Sequence, residues 1–382
     1  MGVMNSSIST SPPRLIDSTL RDGEQAPGVS FSRKEKLKLA HLLDVAGVDE
    51  IEAGTPAMGT EEIATIRAIS RANLDCRISV WSRALKNDIE MAARTEAQGI
   101  HIAFPISDIQ LRTINKDWIW VCDALPELVE YARCYFPFVS VGAQDASRTK
   151  HERLYQYLSL IQQADISRVR IADTVGLFTP VSLYHLISQL KVDFPSIELD
   201  FHGHNDLGMA TANAITAWQA GAENVSVTVN GLGERAGNSP LEEVVMSLQS
   251  IFHVSHFKTQ NISQLCNYVA EISQRSIPVN NPITGNFAFS HESGIHAKGT
   301  LTNPTAFQPF DGQMVGREAG CNVFGKHSGR AAIIHFFSQR NIFPTEDDIA
   351  FIVKKVQALS IQHKRIVSTS EMLTVYDELY HR

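Results

Sequence analysis

Residues 197–206 read Ile197-Glu198-Leu199-Asp200-Phe201-His202-Gly203-His204-Asn205-Asp206, a short apolar run that ends in polar, chemically capable side chains. Seven other runs share that character: Leu15–Leu20, Glu50–Gly54, Ile78–Trp81, Ile100–Phe104, Phe138–Ala143, Val169–Ala172 and Val225–Val229. Between them lie amphipathic stretches such as Lys34–Ala46 and Glu61–Ser70, with apolar residues at helical spacing. Short apolar strands alternating with helices are the pattern of repeated β-α units over a parallel sheet. Eight such units in about 240 residues suit an α/β fold of the (β/α)8 TIM barrel type, which typically takes about 250. An open doubly wound sheet has the same element order and stays the alternative at this point.

Of the 382 residues, 43% are hydrophobic and 20% charged, enough apolar matter for a large core and too much for a disordered chain. The net charge of −7, with no basic stripe, speaks against a nucleic-acid partner. Five cysteines (Cys76, Cys122, Cys134, Cys266, Cys321) are odd in number and lack C-x-x-C pairing, which argues against a disulfide framework or a thiolate zinc site and fits a reducing, cytoplasmic setting. The Ser/Thr-rich start lacks the apolar core of a signal peptide, and no run approaches the length of a membrane span, so no membrane association is expected. The expected organisation is a flexible tail (1–13), a catalytic barrel (14–273), a Pro/Asn-rich and then irregular linker or lid module (274–330), and a small helical subdomain (331–382). Ala331–Gln339 and Asp347–Ser360 are the helices expected in that subdomain.

On a barrel of this kind, active sites lie at the C-terminal ends of the strands. Those positions hold Arg21 and Asp22, Glu52, Arg83, Gln144 and Asp145, Asp173 and Thr174, His202 and His204, and Asn230. Polar residues also collect there simply because loops begin there. Side chains alternate along a strand, so Ser140, Gly142 and Gln144 share one face, as do Arg170 and Thr174, and His202 and His204. Two imidazoles at i and i+2 can hold one metal ion, although such spacing also arises incidentally. Asp22 after the first strand adds a carboxylate and Asn238 after the eighth adds an amide oxygen, and strands one, seven and eight are neighbours in a closed barrel. This mixed N/O set accommodates divalent Mg, Mn, Co, Fe or Zn. Arg21 presents a planar cation suited to a carboxylate or a forming oxyanion, or equally to a structural ion pair. The glycine-rich loop Gly231–Asn238 is neither a P-loop nor a dinucleotide fingerprint.

Five motifs in order, Asp17-Ser18-Thr19-Leu20-Arg21-Asp22-Gly23-Glu24-Gln25, His202–Asp206, Asn230-Gly231-Leu232-Gly233-Glu234-Arg235-Ala236-Gly237-Asn238, His291-Glu292-Ser293-Gly294-Ile295-His296 and Gly325-Lys326-His327-Ser328-Gly329, closely resemble the homocitrate and isopropylmalate synthases. Glu52–Gly59 and Asp173–Gly176 look most like the nitrogenase-associated homocitrate synthase branch. The resemblance implies condensation of acetyl-CoA, as co-substrate, with a 2-oxo acid, 2-oxoglutarate in that branch. It implies that Asp22, His202 and His204 bind a divalent metal, with Asn238 nearby or weaker, and that Arg21 and Thr174 hold the 2-oxo acid. Gln25 and Glu52 join them as expected substrate contacts, and His101 and Arg83 are candidates for its distal carboxylate. His296 resembles the family's catalytic base, which lies in a module that covers the partner subunit's site, so a homodimer with composite sites is implied.

One residue departs from the pattern. Most relatives carry Glu where this chain has Gln144, and the amide hydrogen-bonds without supplying charge to a histidinium. The rivals kept open are isopropylmalate or citramalate synthesis, an acyl-CoA lyase on the same barrel, and a non-catalytic metabolite binder. The lyase is disfavoured by the two C-terminal motifs, which lyases of that group lack. The stretch after Gly329 is too short for a regulatory domain of on the order of 100 residues, so leucine feedback is not expected.

Overall fold

A computed structural model describes residues 11–317 and 323–381. Its first unit, through Ser276, is built on eight parallel strands: β1 (Arg14–Asp17), β2 (Glu50–Glu52), β3 (Arg77–Arg83), β4 (Gly99–Pro105), β5 (Phe138–Gln144), β6 (Arg168–Asp173), β7 (Glu198–Gly203) and β8 (Asn224–Val227). Each pairs with the next, and β1 pairs with β8 (Leu15 opposite Val225), so the sheet closes into a barrel and the open-sheet alternative falls away. All eight expected runs are strands, with edges moved by local chemistry. Ser18–Leu20 leaves the sheet because the Asp17 carboxylate accepts from the Thr19 amide (2.9 Å) and hydroxyl (3.0 Å), folding the chain into a turn. Val229 likewise leaves β8, donating its amide to Thr19 Oγ1 at 2.8 Å.

Some of the crossover helices start where side chains cap them. Ser32 and Glu35 form a capping box at Arg33–Ala46, which ends on Gly47 at φ 91°; Thr179 and Ser182 cap Pro180–Asp193, with proline at its first position. Strand residues such as Val139, Val141, Val169, Ile171, Leu199 and Phe201 are buried. The alternate row holds a ladder of charge. Arg168 makes two 2.8 Å bonds to Glu50, and Arg170 reaches Glu52 at 2.9 Å and Asp200 at 2.6 Å. Buried pairs of this kind add little net stability, yet losing one partner is costly because it strands the other charge.

The second unit, Ile277–Arg382, has helices Gly294–Thr302, Arg330–Ser338, Glu346–His363 and Thr369–Asp377. The two expected helices are present within a few residues. A further one follows, started by a Ser368/Glu371 capping box. The stretch expected to be irregular carries the helix Gly294–Thr302, and Ala297 and Phe324 from it join Ile333, Phe337, Ile352 and Met372 in one core. The division expected at residue 330 therefore runs through a shared hydrophobic core.

Residues 1–10 of the expected tail and Cys321 lie outside the described residues. Cys76, Cys122, Cys134 and Cys266 are free thiols, and no helix among the described residues is long and apolar enough to cross a membrane.

Candidate active site

The C-terminal ends of the strands surround a cavity of about 200 Å³, smaller than the roughly 300–1,000 Å³ of drug-sized sites and suited to a small acid. On its β7–β8–β1 side stand Asp22, His202 and His204, all buried, with ligand-capable atoms within 4.8 Å of one another. The sequence places them there by local means. The amides of Arg21, Asp22 and Gly23 all donate to the Ser18 carbonyl, which winds the chain after β1 inward. His202 belongs to β7 itself. His204, just past its end, is fixed by its amide on the Asp173 carbonyl (3.3 Å) and by an antiparallel bridge to Asn238.

The donor set fits a cation. Asp22 and the two histidines each offer a ligand atom within 4.8 Å of the others, and Asp22 Oδ1 is buried without a hydrogen-bond partner, as are His202 Nδ1, His204 Nδ1 and Asn238 Oδ1; a divalent ion shared by the carboxylate and the imidazoles would offset part of that cost. Burial by itself would raise the Asp22 carboxyl, but Arg21, His202 and His204 outweigh it and hold it well below the usual carboxylate range. Burial, with His202 beside it, pushes His204 down to about 4, so its ring is neutral and its lone pair free at physiological pH.

Arg21 is held between two carboxylates. Its Nη1 donates to Asp22 Oδ2 at 2.9 Å, and Nε and Nη2 reach Glu52 at 3.3 Å each. Thr174 faces the cavity, and its hydroxyl oxygen accepts the Asp145 amide (2.9 Å), which leaves its proton for a ligand. Gln25 and Gln144 also line the cavity. Asp145 turns out of it at φ 62°, its carboxylate taken by Ser107 (2.5 Å) and Arg148 (2.7 Å).

His101 lies on the far wall, its Nδ1 3.0 Å from Ser140 Oγ. Burial, then Arg170, holds its pKa well below the ordinary histidine value, so the ring offers a hydrogen bond and no charge. A Cβ on Gly142 would sit 2.7 Å from His101 Nε2; only glycine leaves that ring in place.

Two expected substrate contacts are placed elsewhere. Glu52 is fully buried beneath the cavity, its oxygens taken by Arg21 and Arg170. Arg83 has the right phase, but its guanidinium swings outward to Asp88 (2.7 and 3.0 Å) and lies outside the cavity. Among the other strand-end residues, Asp173 accepts the Leu177 and Phe178 amides, and Asn230 Nδ2 donates to the Cys266 carbonyl. Trp81 and Glu234, which the sequence reading does not name as site residues, also line the cavity, together with Arg170 on the face it shares with Thr174. Trp81 is legible in principle, since it shares strand phase with Arg83.

In the second unit, His296 sits exposed on the helix Gly294–Thr302, stacked on Phe307 at 4.2 Å and edge-on to His291 at 6.2 Å. A ring nitrogen of His291 meets Gln308 Nε2 at 3.2 Å.

Residues 12–269 match the HMGL-like family model, and residues 283–364 match the homocitrate synthase post-HMGL domain-like model. The chain is 40% identical to a 2-isopropylmalate synthase of Caldanaerobacter subterraneus subsp. tengcongensis, covering 96% of each. It is equally 40% identical to homocitrate synthase 1 of a Nostoc species, covering 95% of this chain and 97% of that one. The solved hydroxymethylglutaryl-CoA lyase of Pseudomonas aeruginosa shares the fold at TM-score 0.62 and 19% identity, over 69% of this chain and 94% of that one.

Proposed function

The chain belongs to the HMGL-like family, among the synthases that condense acetyl-CoA with a 2-oxo acid, and from that premise we propose that its own acid is 2-oxoglutarate and its products are homocitrate and CoA. The observation that carries the reading is the buried Asp22–His202–His204 triad beside Arg21 at the mouth of the barrel. Asp22, His202 and His204, with Asn238 as a further candidate, would hold a divalent ion, which would supply Lewis acidity to the keto group.

The chain's own residues do the rest. Thr174 and Arg21 hold the acid, and Arg21 stabilises negative charge on the keto oxygen as the new bond forms. Its pairing with Glu52 and Asp22 fixes the guanidinium beforehand, so no reorganisation is needed at that moment. His296, supplied by a second copy of the chain, is the proposed base that takes a proton from the acetyl methyl; the carbanion attacks C2, and water then cleaves the thioester to release CoA. Gln144 contributes a hydrogen bond only.

The choice of acid is supported by the far wall. Opposite β7–β8–β1 in a closed cylinder lie β3–β5, which present His101 and Gln144, with Arg170 of β6 alongside. Polar groups there suit a distal carboxylate. Trp81, Ala103 and Ala172 in the same lining favour a second reading, isopropylmalate synthesis from an acid with a branched apolar chain. The post-HMGL match over 283–364 supports a synthase over a lyase. A homodimer belongs to the same proposal and is tested by sedimentation.

The deciding assay is free-thiol release from acetyl-CoA with pyruvate, 2-oxoisovalerate, oxaloacetate and 2-oxoglutarate, with and without chelator. Preference for 2-oxoglutarate, lost on chelation, supports the proposal. Preference for another acid moves it to a sister reaction, and acid binding without thiol release leaves a metabolite binder.

A further inference from the structure

We infer that Arg235 is a positioning residue, a latch that holds the loops after β6, β7 and β8 in one register and with them the metal ligand His204 and the substrate contact Thr174. Its Nε and Nη2 donate to the two carboxylate oxygens of Asp206 at 2.8 and 2.9 Å, and Nη2 also donates to the Thr174 carbonyl at 2.7 Å. Asp206 lies two residues past His204, and Thr174 directly follows β6. One guanidinium on the third loop therefore ties the other two.

The backbone around it has little slack. A Cβ on Gly176 would lie 2.9 Å from the His204 carbonyl and 3.1 Å from the Asp206 amide, so the β6 and β7 loops touch main chain to main chain. Asn205 donates its amide to the Gly237 carbonyl at 2.8 Å, which joins the β7 and β8 loops. Thr174 is fixed from both sides, its hydroxyl oxygen by the Asp145 amide and its carbonyl by Arg235. Glu234, beside Arg235, lines the cavity, and Asn238, three residues on, is bridged to His204 through the main chain.

The competing view is a plain surface ion pair, since the Arg235 side chain is 41% exposed and exposed pairs contribute little to stability. That exposure makes the residue a clean probe, because its loss leaves no buried void. The bond to the Thr174 carbonyl is what an ordinary surface pair lacks.

The substrate half of this inference rests on the proposed function; the metal half rests on the triad geometry. The test uses the full chain as wild type, Arg235→Ala, Arg235→Lys and Asp206→Asn. Readouts are titration with Co(II) followed by its visible absorption, the split of KM for the 2-oxo acid against kcat, and the melting temperature. Arg235→Ala is expected to bind Co(II) about 10–100-fold more weakly, as for other losses of support around metal ligands, and to raise KM for the acid by a similar factor while the melting temperature holds. Arg235→Lys should fare no better, because an ammonium cannot reproduce the fork. Combining Arg235→Ala with Asp206→Asn should cost no more than Arg235→Ala alone, since the aspartate acts through that arginine. Wild-type Co(II) affinity and spectrum with unchanged KM in Arg235→Ala, or full rescue by lysine, overturns the latch. A wild-type chain that takes up no cobalt overturns the metal site itself and the latch with it, which separates the two failures.

Discussion

Glu52→Gln tests whether this residue touches substrate or supports the residues that do. Its carboxylate accepts from Arg170 at 3.1 and 2.9 Å and from Arg21 at 3.3 Å twice, all buried. Removing one partner of a buried pair costs about 3–5 kcal/mol. Asp200 still holds Arg170 and Asp22 still holds Arg21, so the lower end, about 3 kcal/mol, is expected. The barrel unit spans Met1–Ser276, and at about 2.1 cal/mol/K per residue its unfolding entropy is roughly 0.6 kcal/mol/K, which makes the loss a drop of about 5 °C by calorimetry. Burial alone would raise the Glu52 pKa, but Arg170 and Arg21 depress it, so its contribution is present above the ordinary glutamate pKa and vanishes as pH falls. The gap between wild type and variant should therefore narrow in acid. Arg21 also loses one of its three acceptor bonds and meets an amide NH2 in its place, and a misplacement of about 1 Å can cost on the order of 100-fold in kcat. An unchanged melting temperature with a large rise in KM for the acid would refute the supporting role and restore Glu52 as a direct contact.

Other perturbations probe separate parts of the molecule. His204→Ala should abolish divalent-ion binding by calorimetry and thiol release while leaving far-UV circular dichroism intact; turnover that survives would remove the ion from the mechanism. Gln144→Glu should leave thiol release equal or raise it if the amide is a handicap, and a large drop would show the site is tuned to the amide. Burial pushes Glu242 up to about 7. Between the ordinary value of about 4.5 and 7 the unfolded chain holds fewer protons than the folded one, so stability falls by roughly 3 kcal/mol as pH rises through that window. Glu242→Gln should flatten that slope and melt higher than wild type at pH 8; parallel pH profiles would count against a protonated buried carboxyl.

The strand pattern was legible because period-two alternation is a property of the chain itself: it placed His202, Gln144 and Thr174 at strand ends, and barrel closure then brought Asp22 to the histidines. Side-chain reach was not legible in the same way. Arg83 has the phase of a cavity residue, but a long flexible side chain goes to the nearest carboxylate, and Asp88 lies outside. Arg170 shares the face of Thr174, yet its position between Glu52 and Asp200 depends on strands far apart in sequence.

By itself the sequence determined the order of eight β-α units, the closure they favour, and the residue types that meet at the strand ends, because periodicity and turn chemistry act over a few neighbours. The tertiary structure decided the rest. It decided that Glu52 supports Arg21 from beneath, that His101 is neutral, that Arg235 fastens separate loops, and that the C-terminal segments share one core. Charge, burial and reach are set by what lies across the barrel, and no local pattern encodes a distance between residues more than a hundred positions apart.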